Sequence, residues 1–149
     1  MKRLLIGAAS AATIVLSGLA AAQAAEPKDF VDYRVESLKA VGGHMKAMST
    51  WVKSGMDLPN PVAAHASAIL AVLEGLPAAF PEGTHGVAKS EATSKVWSDP
   101  AAFKAANDKA IEAAKTLIAA ADSNDRAAIG KALGGLGGAC KGCHDDFRD

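Results

Sequence analysis

The chain has 149 residues, of which 16 are basic and 16 acidic, so its formal charge balances; half of it is hydrophobic and only 5% aromatic. No basic stripe or Arg/Lys cluster marks a nucleic-acid partner. One domain is the natural unit at this length, and it is long enough to bury a core.

Met1-Lys2-Arg3 is a short basic start, Leu4 to Ala22 is an almost uninterrupted run of apolar and small residues, and Ala22-Gln23-Ala24 follows. That order reads as an export signal (residues 1–24) cleaved after Ala24. The alternative is a retained N-terminal anchor, which the length of the run alone does not exclude. The mature domain is then residues 25–149, with a surplus of two acidic side chains. It is expected to be soluble, since no second long apolar stretch suggests a membrane span.

Four segments carry helical periodicity. In the first, roughly Pro27 to Lys53, Val41, Met45, Met48 and Val52 recur in steps of four, three and four, and Pro27 suits a helix start. Gly42-Gly43 weakens this segment but leaves room for another helix or a flat cofactor. Asn60 is expected as the N-cap of a second helix, roughly Pro61 to Ala79, with Pro61 at its first position. Val62, His65, Ile69, Val72 and Leu76 share one face of it, and Pro77 should kink it or shorten it by a turn.

Phe80 to Trp97, with Pro81, Gly83 and Gly86, is a long connection that should cross part of the structure or cover something. Ser98 resembles the N-cap of a third helix running to about Ala121, with Phe103, Ala110, Ala114, Leu117 and Ala121 along one seam and Ile111 and Ile118 beside it. Asp122 to Asp125 is a polar turn. In the fourth helix, roughly Asp125 to Phe147, Ile129, Leu133, Leu136, Cys140, Cys143 and Phe147 repeat in steps of four, three, four, three and four. Both cysteines therefore point inward. An all-α, antiparallel four-helix bundle follows. Gly134-Gly135 and Gly137-Gly138 allow close helix packing or room for a cofactor edge.

The strongest chemical signal is Cys140-Lys141-Gly142-Cys143-His144. Thiols at i and i+3 lie on one helical face and can bond the two vinyl-derived positions of one haem, while His144, at i+4 from Cys140, can project toward the iron. Two other uses compete. A redox disulfide favours a reactive cysteine at a helix N-terminus in a mixed fold, whereas this pair comes late in a helix with no sheet before it. A structural zinc site would need a distant fourth ligand, and no second ligand cluster is present.

Together with Tyr33-Arg34, Gly42-Gly43-His44-Met45, and Trp97-Ser98-Asp99 at the end of the long connection, the terminal stretch Cys140 to Arg148 resembles the cytochrome c prime family and its low-spin relatives. The resemblance covers essentially the whole mature chain. It implies a four-helix bundle around one covalent haem c, with His144 as the proximal axial iron ligand and helix one as the distal wall. The matching distal position, four residues beyond Arg34, is Leu38, where low-spin relatives carry methionine. Leucine has no donor atom, so the iron is expected to be five-coordinate and largely high-spin, with an apolar pocket open to nitric oxide or carbon monoxide. The resemblance also places Arg34 near a haem propionate, the alternative being an exposed helix arginine. It places Arg148 beside the proximal imidazole, the alternative being a frayed terminal residue.

The remaining candidates carry less. Met45 is the nearest sulfur if Leu38 is misplaced and is otherwise core. His44 reads as a surface or hinge residue, and His65 as a packed, hydrogen-bonded histidine. His85 lies in the long loop without an identifiable partner. Trp51 suits a subunit interface and Trp97 a loop core. The resemblance implies a periplasmic protein for one-electron transfer, gas binding or both, with a redox partner protein and a homodimer through helix one and its neighbour, and no assigned catalytic turnover. A nitric-oxide-detoxifying or peroxidatic enzyme, and a low-spin six-coordinate carrier, are the alternatives.

Overall fold

The computed structural model describes residues 24–87 and 90–149, so the signal segment, apart from Ala24, lies outside the described residues. Among them are five α-helices: α1 (Pro27–Ser54), α2 (Val62–Gly75), α3 (Lys95–Ser98), α4 (Pro100–Ala121) and α5 (Arg126–Phe147). The one isolated β-bridge found among them pairs Ala92 with Arg148. Helix α1 packs on α2, α2 on α4, α4 on α5, and α5 back on α1, closing the four long helices into a ring. Inside it Met48, Val62, Ala66, Ile69, Ala114, Leu117, Ile129 and Leu136 are fully buried.

Helix α1 starts with Pro27, whose missing N–H costs nothing there, and the Asp29 carboxylate accepts the Glu26 N–H at 2.9 Å. It runs unbroken through Gly42-Gly43 and stops at Gly55, which adopts the left-handed φ of 65° that ends a helix without a Cβ clash. Trp51 is only 4% exposed, which corrects its expected place at a subunit interface. The Arg126 guanidinium stacks 3.9 Å above its ring and donates to the Trp51 and Met56 carbonyls, so α5 covers it.

Asn60 caps α2 from one position further out than expected. Its Oδ1 accepts the Val62 N–H at 3.0 Å, its Nδ2 donates to Ala121 O at 2.9 Å, and the helix begins at Val62 rather than Pro61. Pro77 does shorten the helix, and Leu76–Ala79 winds on as a 3-10 turn. Because Pro77 has no N–H to give to the carbonyl four residues back, Leu73 O would lose its α-helical partner. The Leu76 N–H and the Nδ2 of buried Asn107 supply donors instead, the latter at 2.9 Å. Val62–Ala79 is apolar and long enough by composition to cross a membrane, but its inner face is spent on the bundle core.

Ser98 is not the cap of the third long helix. It closes the short α3, and Asp99 caps α4 by accepting the Ala102 N–H at 3.0 Å, with Pro100 following. Asp125 likewise caps α5 rather than opening it, accepting the Ala127 N–H at 2.8 Å. The 80–97 connection covers one end of the bundle. There Phe80, Trp97, Phe103 and Phe147 stack edge-on or tilted, with ring centroids 5.0–6.0 Å apart between neighbours. Trp97 Nε1 donates to the Phe80 and Pro81 carbonyls, and the His85 ring stands edge-on to Trp97 at 5.3 Å.

Candidate functional site

The inward stripe of α5 reads Ile129, Leu133, Leu136 and Phe147, all buried, with Cys140 and Cys143 half-buried between them. Cys140 packs against the main core and Cys143 against the Val96–Phe103–Phe147 cluster, so the two thiols span the seam between the apolar groups. Both are free. Burial pushes both thiols up, and Cys143 is raised further by its neighbours Cys140 and Asp146. A redox dithiol needs the opposite, a thiolate stabilised at a helix N-terminus; these thiols sit at the C-terminal end, where the helix dipole disfavours negative charge. Among the described residues no group of three or more His, Cys, Asp or Glu side chains is disposed to hold a metal ion, so the zinc reading finds no ligand set.

His144 stands exposed one position beyond Cys143. Partial desolvation holds it below the ordinary imidazole range, and the Arg148 charge acts in the same direction against the weaker pull of Asp145. The Arg148 N–H closes the helix on His144 O at 3.1 Å, and its guanidinium pairs with Glu91, Nε to Oε2 at 2.6 Å. The neighbouring strand-like contacts are backbone bonds, Thr93 N–H to Phe147 O at 3.0 Å and Asp149 N–H to Glu91 O at 2.8 Å.

Across the bundle, Leu38 of α1 is half-buried against the same core that Cys140 flanks. One turn earlier, Arg34 is 2% exposed, which overturns the alternative of an exposed helix arginine. Its Nη1 donates to Ala79 O at 3.2 Å and Thr84 Oγ1 at 2.9 Å; its Nη2 donates to Thr84 O at 3.0 Å and Ser90 Oγ at 2.8 Å. The guanidinium lies 4.5 Å from the Phe80 ring centroid. Among the described residues no carboxylate forms an ion pair with it. Desolvation accordingly lowers its pKa.

The paired glycines Gly134-Gly135 and Gly137-Gly138 are not sites of tight helix packing. A Cβ built on Gly134, Gly135 or Gly138 would meet nothing within 4 Å, and one on Gly137 would meet only Met45 Cε at 3.9 Å. The close approach is one turn earlier, where Gly130 faces Val52 Cγ1 at 3.2 Å. Around the motif, α5 thus presents two inward thiols followed by an imidazole, with a donorless Leu38 on α1 and a buried cation that forms no ion pair with a carboxylate among the described residues. This donor set fits a haem c carrying acidic side groups.

Sequence reasoning missed the buried Thr84 and Asn107, whose partners are far away in the chain. It also misplaced His44, which is half-buried and turned toward α2, its Nδ1 2.8 Å from Nδ1 of His65.

Residues 29–148 match the model of a protein family described as Cytochrome C'. The cytochrome c' of Rhodospirillum rubrum is 48% identical over 148 residues, spanning 99% of both chains. That of Pararhodospirillum photometricum is 54% identical over 125 residues, 84% of this chain and all of that one. The crystal structure of cytochrome c' from Rubrivivax gelatinosus superposes with a TM-score of 0.75 at 34% identity, covering 85% of this chain and 100% of the other. A nitric oxide complex of a variant of cytochrome c prime from Alcaligenes xylosoxidans superposes equally, at 0.75 and 32% identity, covering 85% and 98%.

Proposed function

Since the chain belongs to the cytochrome c' family, we propose that Cys140, Cys143 and His144 hold one covalent haem c in the space between α5 and α1. The protein is a periplasmic c-type haem protein of electron transfer and gas binding, and no catalytic residue is assigned. When bound, the haem supplies a one-electron ferric–ferrous couple and an iron that takes axial ligands.

Each residue has a distinct part. Cys140 and Cys143 would hold the haem through two thioethers, fixing it to one face of α5. His144 offers its imidazole as the proximal iron ligand. Leu38, with no lone pair to give, would supply no ligand to the iron and would keep its surroundings apolar, where a neutral diatomic gas is favoured over water. Arg34 offers a buried positive charge to a propionate, and Arg148 holds positive charge beside His144. A homodimer through α1 and its neighbour, and a redox partner protein, complete the proposal.

The single observation carrying this reading is the pairing of two inward, protonated thiols on α5 with the donorless Leu38 on the facing helix. Optical and electron-paramagnetic spectra of the purified protein test it. A high-spin ferric signal and a ferrous form that changes sharply with carbon monoxide or nitric oxide are expected. A low-spin ferric signal indifferent to both gases would put a side chain such as Met45 on the iron and overturn the assignment of Leu38. Sedimentation velocity tests the dimer, and a monomer at micromolar concentration would refute it.

A further inference from the structure

An open hollow of about 380 Å³ lies where the start of α1 meets the end of α2 and the 3-10 turn. It is lined by Phe30, Tyr33, Gly75, Ala78 and Ala79, with Asp29 as its charged residue and Ala25 beside it. Tyr33 is 65% exposed, the most exposed of the large hydrophobic side chains among the described residues. We propose that this hollow is the docking face for the redox partner, a small one-electron protein whose contact surface carries lysine and arginine around an apolar centre. The face takes its meaning from the haem assignment above, on which it rests.

Its position joins it to the cofactor. Ala79, a wall of the hollow, has a carbonyl that accepts Arg34 Nη1 at 3.2 Å. Arg34 is the residue assigned to a haem propionate, so one hydrogen bond and one side chain separate the wall from the acidic edge of the cofactor. A partner seated there exchanges one electron with the protein. The ferrous form becomes ferric as the partner's oxidised centre is reduced, and no atom is transferred.

Charge selects the partner. Glu26 and Asp29 are exposed at the start of α1, and neither forms an ion pair among the described residues. Asp29 Oδ2 accepts the Glu26 N–H, which leaves Oδ1 for a partner's cation. Glu74, next to Gly75, adds a third carboxylate; Lys115 of α4 feels its charge but is already paired with Glu112. Lys28, the cation beside Asp29 in the chain, is paired with Asp32. Cleavage after Ala24 would bring one ammonium to the hollow against these three carboxylates. A second copy of this chain, docked by the same patch about a two-fold axis, would set one acidic rim against another. The fitting occupant is therefore a basic protein. Long-range steering onto a small apolar centre with an exposed tyrosine as anchor gives the fast, short-lived contact that electron carriers use.

The test is stopped-flow electron exchange between the haem-loaded protein and mitochondrial cytochrome c, a lysine-rich one-electron protein, run in the downhill direction. The second-order rate should fall about tenfold or more between roughly 10 and 200 mM salt. Tyr33→Ser and Asp29→Asn should each slow it about three- to tenfold at low salt, with the haem spectrum and the carbon monoxide adduct unchanged. Asp57→Asn removes an exposed carboxylate beyond the other end of α1 and should change the rate less than about twofold. A rate indifferent to salt overturns the proposal and needs no variant to fold. So do Tyr33→Ser and Asp29→Asn proteins that react at the parent rate, or an Asp57→Asn protein slowed as much as Asp29→Asn, which would make net charge the cause. A Tyr33→Ser protein that sediments as a smaller species would give the hollow to a second copy and overturn it too. A purified protein with no haem spectrum would overturn the haem assignment and this face with it, and that result is seen before any mixing.

Discussion

Replacing Arg34 with methionine keeps an unbranched apolar stem and removes the guanidinium, so the variant reports what that group does. Four hydrogen bonds disappear, and the Ala79 and Thr84 carbonyls lose a donor in a place where Thr84 is wholly buried. Bonds from a charged donor contribute about 1.5–3 kcal/mol each, and the contact with Phe80 adds roughly 0.5–1 kcal/mol. Against this stands the desolvation of the cation, several kcal/mol, which the methionine no longer bears. The net loss is then about 3–4 kcal/mol, in line with breaking one partner of a buried charged network. For a domain of this size that lowers the melting temperature by roughly 10–15 °C. Far-UV circular dichroism of the haem-loaded protein measures it, and limited proteolysis should show earlier cutting between residues 81 and 90. A melting temperature within about 2 °C of the parent would refute the view that Arg34 straps the 80–90 connection to α1. Ser90→Ala alone should cost about 1 kcal/mol and add less than that on top of Arg34→Met, because the two changes share the Arg34–Ser90 bond and differ only in the weaker bond from the Ala92 N–H.

Other perturbations test other parts. Leu38→Met puts a thioether where leucine has no donor; the ferric signal should become low-spin and the ferrous response to carbon monoxide should shrink, and an unchanged spectrum would mean that Leu38 does not face the iron. Cys143→Ala should leave a single thioether and Cys140→Ala with Cys143→Ala none, so haem should be extractable by acid–acetone from the double variant alone; extraction from the parent refutes the attachment. Asn60→Ala removes both the cap of α2 and the tie to the end of α4 and should cost about 1–2 kcal/mol, read as a lower melting temperature.

The legible parts of this protein are those whose signals are local. Helix α5 could be read almost to the residue because a six-member apolar register and a polar turn bound it, and the same register turned both cysteines inward. Pro77 announced its own effect. Helix α3 was invisible, since four residues cannot display a 3.6-residue period. Arg34 was harder still. An arginine on an amphipathic helix is ordinarily solvated, and the groups that bury it lie 45 to 56 residues away in a connection without periodicity. His65 could be placed on a packed face, but its partner is 21 positions earlier on another helix, so nothing in either neighbourhood pointed to the other. Trp51 failed for the same reason, because the arginine that roofs it comes from α5.

The last turn of a helix near a chain end ordinarily frays, for its carbonyls have no following turn to bond. Here that turn contains His144, and the two backbone bonds to Thr93 and Glu91, with the Arg148–Glu91 pair outside them, give it a neighbour that sequence order does not supply. The backbone that carries His144 is therefore tied, at the end of the helix, to the 91–93 segment. That anchor comes from a segment some fifty residues earlier, so any change that loosens residues 91–93 should be felt in the last turn of α5 before it is felt in the core.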